Sequence, residues 1–66
     1  MEQSIGKRIK ERRKELRMTQ ESLSEKSHVC RATIAAIETD KCGNILVSTL
    51  SAIAAALDTT VEFFLS

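Results

Sequence analysis

A very short connection joins two predicted helical segments in the first half of this chain. Residues 19–27 begin at Thr19, a candidate N-cap, and residues 31–38 carry Ile34 and Ile37 at helical spacing. Only residues 28–30 separate the two segments. So short a turn forces the two helices to cross steeply, and apolar contacts must hold the crossing together. The residues predicted to make those contacts are Leu23, Val29, Ile34 and Ile37. The sequence therefore predicts a helix-turn-helix corner in which the start of the second helix projects outward.

The composition of the chain is typical of a small helical domain. Its 66 residues, 42% of them hydrophobic, are enough for a single domain over residues 1–66 with one small core. The absence of Pro and the presence of only two Gly favour helices joined by short turns. No apolar run approaches the roughly 20 residues needed to cross a bilayer, and the N-terminus lacks the apolar stretch of a signal peptide. We therefore expect a cytoplasmic protein.

Three further helices are predicted around this corner. Ser4 is the expected N-cap of a first helix over Ile5–Arg17, with an apolar stripe of Ile5, Ile9 and Leu16. After a loop over residues 40–44, Ser48 is expected to cap a fourth helix and Thr60 a short last one. Their apolar residues are Leu50, Ile53, Ala54 and Leu57 in the fourth helix, and Val61, Phe64 and Leu65 in the last. The segment Ile45–Val47 is too short to pair as a strand.

Basic residues are confined to the first part of the chain. The net charge is only +1, but all ten Lys and Arg lie at or before Lys41, and seven fall between Lys7 and Arg17. Beyond Lys41 the only charged residues are Asp58 and Glu62. A phosphate-binding surface and an ordinary solvated helix face both account for this distribution.

The segment TQESLSEKSHVCRATIAAIETDK, residues 19–41, resembles the helix-turn-helix of the lambda repressor, Cro and XRE-like family of regulators. The flanking segments IGKRIKERRKELRMTQ and LSAIAAALDTTVEFFL resemble the first helix and the last two helices of that family. The resemblance implies an all-α, compact five-helix lambda-repressor-like domain with its helix-turn-helix at Thr19–Glu38. It also implies a transcriptional regulator that binds double-stranded DNA sequence-specifically, as a homodimer on a palindromic operator.

Two positions of the corner depart from the family pattern. His28 stands where the family has Gly in the turn, so we expect a positive φ there, at a cost of about 1 kcal/mol. Ser24 stands where a small Ala is usual inside the second helix, and it is still small enough for close packing. Both departures are compatible with the predicted fold.

The resemblance also implies which residues contact DNA. Base edges would be read from the start of the third helix by Arg31, Ala32, Thr33 and Ala36, and DNA phosphates would be bound by Thr19, Gln20 and Lys41. Arg31 is the residue suited to a bidentate contact with guanine. The two alanines offer only methyl contacts, so either Arg31 or DNA shape must supply most of the specificity. For Thr19, a purely structural role as N-cap is the alternative.

Two further sets of residues are expected to hold the structure and its assembly together. The family pattern implies a structural ion pair between Arg13 and Glu38, joining the first helix to the third. Ile45, Leu46 and Phe63 are apolar where polar residues are usual, and we expect them in a dimer interface. The alternative is that they complete a small core.

Other classes of function have weaker support in the sequence. An interaction module of the same fold, antitoxin-like and with weak DNA binding, is the main alternative. Cys30 could act as a redox-sensitive thiol or merely as a helix cap. The residues do not predict catalysis, a metal site, a cofactor or a small-molecule ligand, since one His and two Cys form no suitable cluster.

Overall fold

The computed structural model describes residues 4–41 and 45–65, which form five helices and no strand. The helices are α1 (Ile5–Glu15), α2 (Gln20–Ser27), α3 (Arg31–Glu38), α4 (Val47–Ala56) and α5 (Val61–Leu65). The predicted all-α, five-helix architecture is confirmed, and α2 and α3 lie within the segment predicted as a helix-turn-helix. None of the described helices is long and apolar enough to cross a membrane. Most of the predicted loop over residues 40–44 lies outside the described residues.

One core joins all five helices. Its buried members are Ile9, Leu23, Ile34, Ile37, Leu50, Ile53, Ala54, Leu57 and Phe64. The predicted inward residues of α2, α3 and α4 are therefore confirmed. The prediction that Leu16 continues the buried stripe of α1 is wrong, because its side chain is 38% exposed. It occupies the C-cap position, where the chain has already begun to turn away from the core.

Helix α1 ends two residues earlier than predicted because Arg17 adopts a left-handed conformation, with φ 57°. The Met18 N–H then donates to the carbonyl of Arg13 (3.0 Å), and the Arg17 N–H donates to that of Lys14 (3.0 Å). This pair of bonds is the Schellman arrangement that closes a helix C-terminus. The same arrangement, with Asp40 (φ 60°) and Asp58 (φ 58°) as the left-handed residues, ends α3 and α4. Helices α1, α3 and α4 thus each end at a left-handed residue that is not glycine.

The predicted helix starts are only partly right. Ser4 and Thr19 cap α1 and α2, with side-chain oxygens that accept from the Lys7 N–H (3.2 Å) and the Ser22 N–H (3.0 Å). The prediction that Ser48 caps α4 is wrong. The N-cap position belongs to Leu46, whose side chain makes no capping bond, because partly buried Ile45 packs on the core just before it. Thr60 directly precedes α5, and its carbonyl accepts from the Phe63 N–H (3.1 Å).

Helices α1 and α3 approach each other very closely at Gly6. A Cβ atom added there would overlap the backbone carbonyl oxygen of Ile37. On another side of α1, the Arg8 guanidinium donates to the carbonyl of Phe63 (3.0 Å) and that of Arg12 to the carbonyl of Leu57 (3.1 Å). The first helix therefore fixes the positions of both α3 and the C-terminal helices.

Candidate nucleic-acid interface

The turn between α2 and α3 is built from serine hydroxyl groups and one left-handed residue. His28 has φ 61°, which confirms the predicted positive φ, and its N–H donates to the carbonyl of Ser24 (2.9 Å). The Ser24 hydroxyl donates to the carbonyl of Val29 (2.6 Å), so the serine at the usual alanine position ties α2 to the turn. The buried Ser27 hydroxyl donates to Leu23 O (2.7 Å) and accepts from the Val29 N–H (3.2 Å). These bonds fix the crossing of the two helices.

The start of α3 is presented to solvent by this turn. Arg31 and Ala32 are exposed, and Thr33 and Ala36 are half-buried, so the four predicted base-reading residues lie on the outer side of the helix or at its margin. Ile34 and Ile37, on the opposite side, are in the core. Cys30 occupies the N-cap position and is exposed, but its side chain makes no capping bond. The first turn of α3 thus has N–H groups that Cys30 leaves uncapped.

A buried ion pair joins α1 to the end of α3. Arg13 is 9% exposed and Glu38 is 7% exposed. The guanidinium donates twice to the carboxylate, from Nε to Oε2 at 2.8 Å and from Nη2 to Oε1 at 3.1 Å, and once to the carbonyl of Met18 at 2.7 Å. Such a bidentate, fully bonded pair satisfies charges that would otherwise be costly to bury. The predicted pair is therefore present and lies inside the domain.

The same carboxylate receives a bond from the start of α2. The Gln20 side-chain amide donates to Glu38 Oε1 (3.1 Å), a contact that the sequence analysis missed. No local pattern could have indicated it, since the two residues lie 18 positions apart. The bond uses one amide N–H of Gln20 and holds the side chain beside the first turn of α2. Thr19, the N-cap of that turn, is exposed, as is Lys41 just beyond α3.

Apolar side chains are exposed where α4 starts and on α5. Leu46 is 70% exposed and Phe63 is 48% exposed, so both of these residues of the predicted dimer interface are accessible at the surface. Ile45 is only partly buried and packs against the core, in keeping with the alternative role given to these residues. Val47 and Leu65, exposed by 75% and 61%, were missed as exposed residues. We call Leu46, Val47, Phe63 and Leu65 the C-terminal apolar patch.

Comparison with known proteins identifies relatives over almost the whole chain. The family described as "Helix-turn-helix" matches residues 9–64. An immunity repressor protein of Bacillus phage phi105 is 45% identical over 59 residues, which are 89% of this chain and 40% of the repressor. The chain thus spans less than half the length of that phage protein.

Solved structures similar to this chain include two DNA-binding regulators. One is the master regulator for biofilm formation SinR in complex with DNA, with 34% identity and a TM-score of 0.89 over 94% of this chain and 98% of that chain. SinR is from Bacillus subtilis, and a complex of the SinR and SinI proteins is also known. The other is the DNA-binding domain of the P22 c2 repressor, with 29% identity and a TM-score of 0.88 over 98% of this chain and 86% of that one.

Proposed function

The chain belongs to the helix-turn-helix family of DNA-binding regulators, and from this premise we propose that it binds double-stranded DNA sequence-specifically and regulates transcription. Helix α3 would enter the major groove, which is about 12 Å wide and admits one helix. The observation that supports this most strongly is the exposed start of α3, held in place by a corner whose other side is buried in the core. A DNA-binding regulator must share a compartment with the DNA, and this fits the cytoplasmic location expected from the sequence.

Base reading would depend chiefly on Arg31. Its exposed guanidinium, in the first position of α3, can donate two hydrogen bonds to guanine, a contact worth about 1–3 kcal/mol of discrimination. Thr33 can reach a base edge or a phosphate, and Ala32 and Ala36 can pack against thymine methyl groups. One arginine and small neighbours would give a short recognition sequence, with DNA shape supplying further selectivity.

Phosphate binding would be centred on the first turn of α2. Free backbone N–H groups and the helix dipole favour an anion at that position. Gln20, held by Glu38, keeps a second amide N–H that could donate to a phosphate, and Thr19 brings its hydroxyl while capping the helix. Exposed Lys41 would supply a charge at the other end of α3.

The C-terminal apolar patch would form the interface of a homodimer. A two-fold pairing through Ile45, Leu46 and Phe63 would set two copies of α3 one DNA turn apart, about 34 Å, on a palindromic operator. Val47 and Leu65, exposed on α4 and α5, would take part in the pairing. Sedimentation at ~100 μM should give a dimer, and the Phe63→Ser, Leu65→Ser double variant a monomer. Leu16→Ser, which removes an exposed leucine elsewhere, is the control; a monomeric native protein would contradict the dimer.

The test of sequence-specific binding is selection of random DNA duplexes at about 150 mM salt, where non-specific phosphate binding is weak. We expect a palindrome to be enriched, with a guanine whose preference disappears in Arg31→Ala. Arg17→Ala removes the same charge from an exposed site just beyond α1 and should keep that preference. If no sequence is enriched by the folded native protein, sequence-specific reading is ruled out.

A second candidate function is that of a protein-interaction module with weak DNA binding. Two observations favour it: alanines at two of the four base-reading positions, and the known complex of the related SinR with the protein SinI. Under this alternative the C-terminal apolar patch would bind a different protein. Failure of the DNA selection, together with a monomer that binds a partner through Phe63 and Leu65, would support it.

A further inference from the structure

The basic residues of α1 fall into two groups with different surroundings. One group is engaged within the domain: Arg13 in the buried pair with Glu38, and Arg8 and Arg12 at the carbonyls of Phe63 and Leu57. These arginines hold helices together. The other group consists of Lys7, Lys10 and Lys14.

The three lysines form one row along α1, at positions i, i+3 and i+7, and all are exposed. They line a shallow groove of about 400 Å³ between α1 and the end of α3, together with Glu11, Glu38 and Asp40. Since Arg13 already neutralises Glu38, the lysines outnumber the remaining carboxylates of the groove.

The lysine row borders the surface on which the phosphate contacts were proposed. Glu38, in the groove, accepts the bond from Gln20 at the start of α2. Asp40, at the other end, directly precedes Lys41 and accepts a bond from the Ser4 hydroxyl at the start of α1 (2.9 Å). A DNA backbone lying against Gln20 and Lys41 would therefore run alongside α1.

We propose that Lys7, Lys10 and Lys14 are a second phosphate-binding element, which contacts the DNA backbone next to the phosphates at the start of α2. This inference rests on the proposed function. A lysine ammonium on a flexible stem acts as a point charge and suits a sequence-independent phosphate contact. The row adds affinity and salt dependence, and leaves the choice of bases to α3.

The experiment compares two double variants that each remove two positive charges. Lys10→Gln, Lys14→Gln alters the row, and Arg17→Gln, Lys26→Gln alters exposed basic residues outside the groove. Affinity for one duplex is measured between 50 and 200 mM salt. Each phosphate contact contributes about 0.9 to the slope of log affinity against log salt, so the row variant should lose about 1.8 and the control almost nothing.

The outcomes separate this inference from the function on which it rests. A steep native slope, lowered in the row variant alone, supports the second element. An unchanged slope in the row variant, or equal losses in both variants, overturns it and leaves DNA binding intact. Native protein without salt-dependent binding contradicts DNA binding itself. Thermal melting checks the folding of both variants, since exposed substitutions of this kind change stability by no more than about 0.5 kcal/mol.

Discussion

The two halves of the molecule are held together by different kinds of interaction. Helices α1–α3 are fixed by side-chain hydrogen bonds and charge: two capped helix starts, three serine bonds in the turn and the buried pair of Arg13 and Glu38. Helices α4 and α5 depend on apolar burial. The start of α4 has no side-chain cap, and α5 is anchored by one buried side chain, Phe64, and by the bond from Arg8.

This difference corresponds to the proposed roles of the two halves, DNA binding by α2 and α3 and dimer formation by the C-terminal apolar patch. Directional bonds fix the angle between α2 and α3, and that angle decides whether α3 fits a groove. Apolar packing is less directional, and in the C-terminal half it leaves the apolar patch available to a second surface. We therefore expect the removal of a polar side chain to lower the stability of the domain more in α1–α3 than in α4 and α5.

The largest effect is expected from the buried ion pair. Glu38→Ala would leave Arg13 buried without its partner and release Gln20, at a cost of about 3–5 kcal/mol in the free energy of unfolding. Denaturant unfolding measures this loss, with exposed Glu25→Ala on α2 as the control. The double variant Arg13→Met, Glu38→Leu should lose less free energy of unfolding than either single variant, because it leaves no unpaired buried charge. A loss below 1 kcal/mol for Glu38→Ala would contradict the role given to the pair.

Gly6 should be the next most sensitive position. Gly to Ala inside a helix normally stabilises by about 0.5–1 kcal/mol. Here the new methyl group would overlap the carbonyl oxygen of Ile37, so we expect the opposite sign and a loss of about 2–3 kcal/mol. The melting temperatures of Gly6→Ala and of the control Ser51→Ala, at an exposed position of α4, decide the sign. A more stable Gly6→Ala protein would show that α1 and α3 are not in such close contact.

Arg12 tests how the two halves are joined. Arg12→Gln removes the donor to the carbonyl of Leu57 at the end of α4, and we expect a loss of about 1 kcal/mol. Arg17→Gln removes the same charge at an exposed site and should cost less. Equal melting temperatures for the two variants would mean that this bond contributes nothing to the joining of the halves.

The smallest effects on stability are expected when a residue with positive φ is replaced by glycine, once in each half. His28→Gly in the turn and Asp58→Gly after α4 should each stabilise the domain by about 0.5–1 kcal/mol, because glycine adopts positive φ without a steric cost. Denaturant unfolding measures both. A loss for His28→Gly alone would indicate that its side chain supports the turn.

The sequence was most informative where a local pattern decides the structure. The caps at Ser4 and Thr19 and the inward residues of α3 follow from spacing and residue type. The positive φ of His28 was expected from the resemblance to a known family, which has Gly at that position. Leu16 and Ser48 were misjudged because the end of α1 depends on a left-handed arginine, and the start of α4 on the burial of Ile45. Neither has a local sequence signal.

Long-range contacts of the candidate site could not be predicted from local patterns. The bond from Gln20 to Glu38 depends on how α2 packs beside α3. The close approach at Gly6 and the bond from Arg8 to Phe63 likewise join segments far apart in the chain. The pair of Arg13 and Glu38 was found in advance only because the resemblance to a known family implied it.

We propose that DNA binds to the first half of the molecule, at the starts of α2 and α3. The most direct test is a titration of isotope-labelled protein with a selected duplex at about 150 mM salt, following the backbone amide signals by NMR. We predict the largest shifts at Gln20, Arg31, Ala32 and Lys41, and little change at Ala52 and Ala55 on α4. Shifts confined to α4 and α5, with α3 unaffected, would contradict the account.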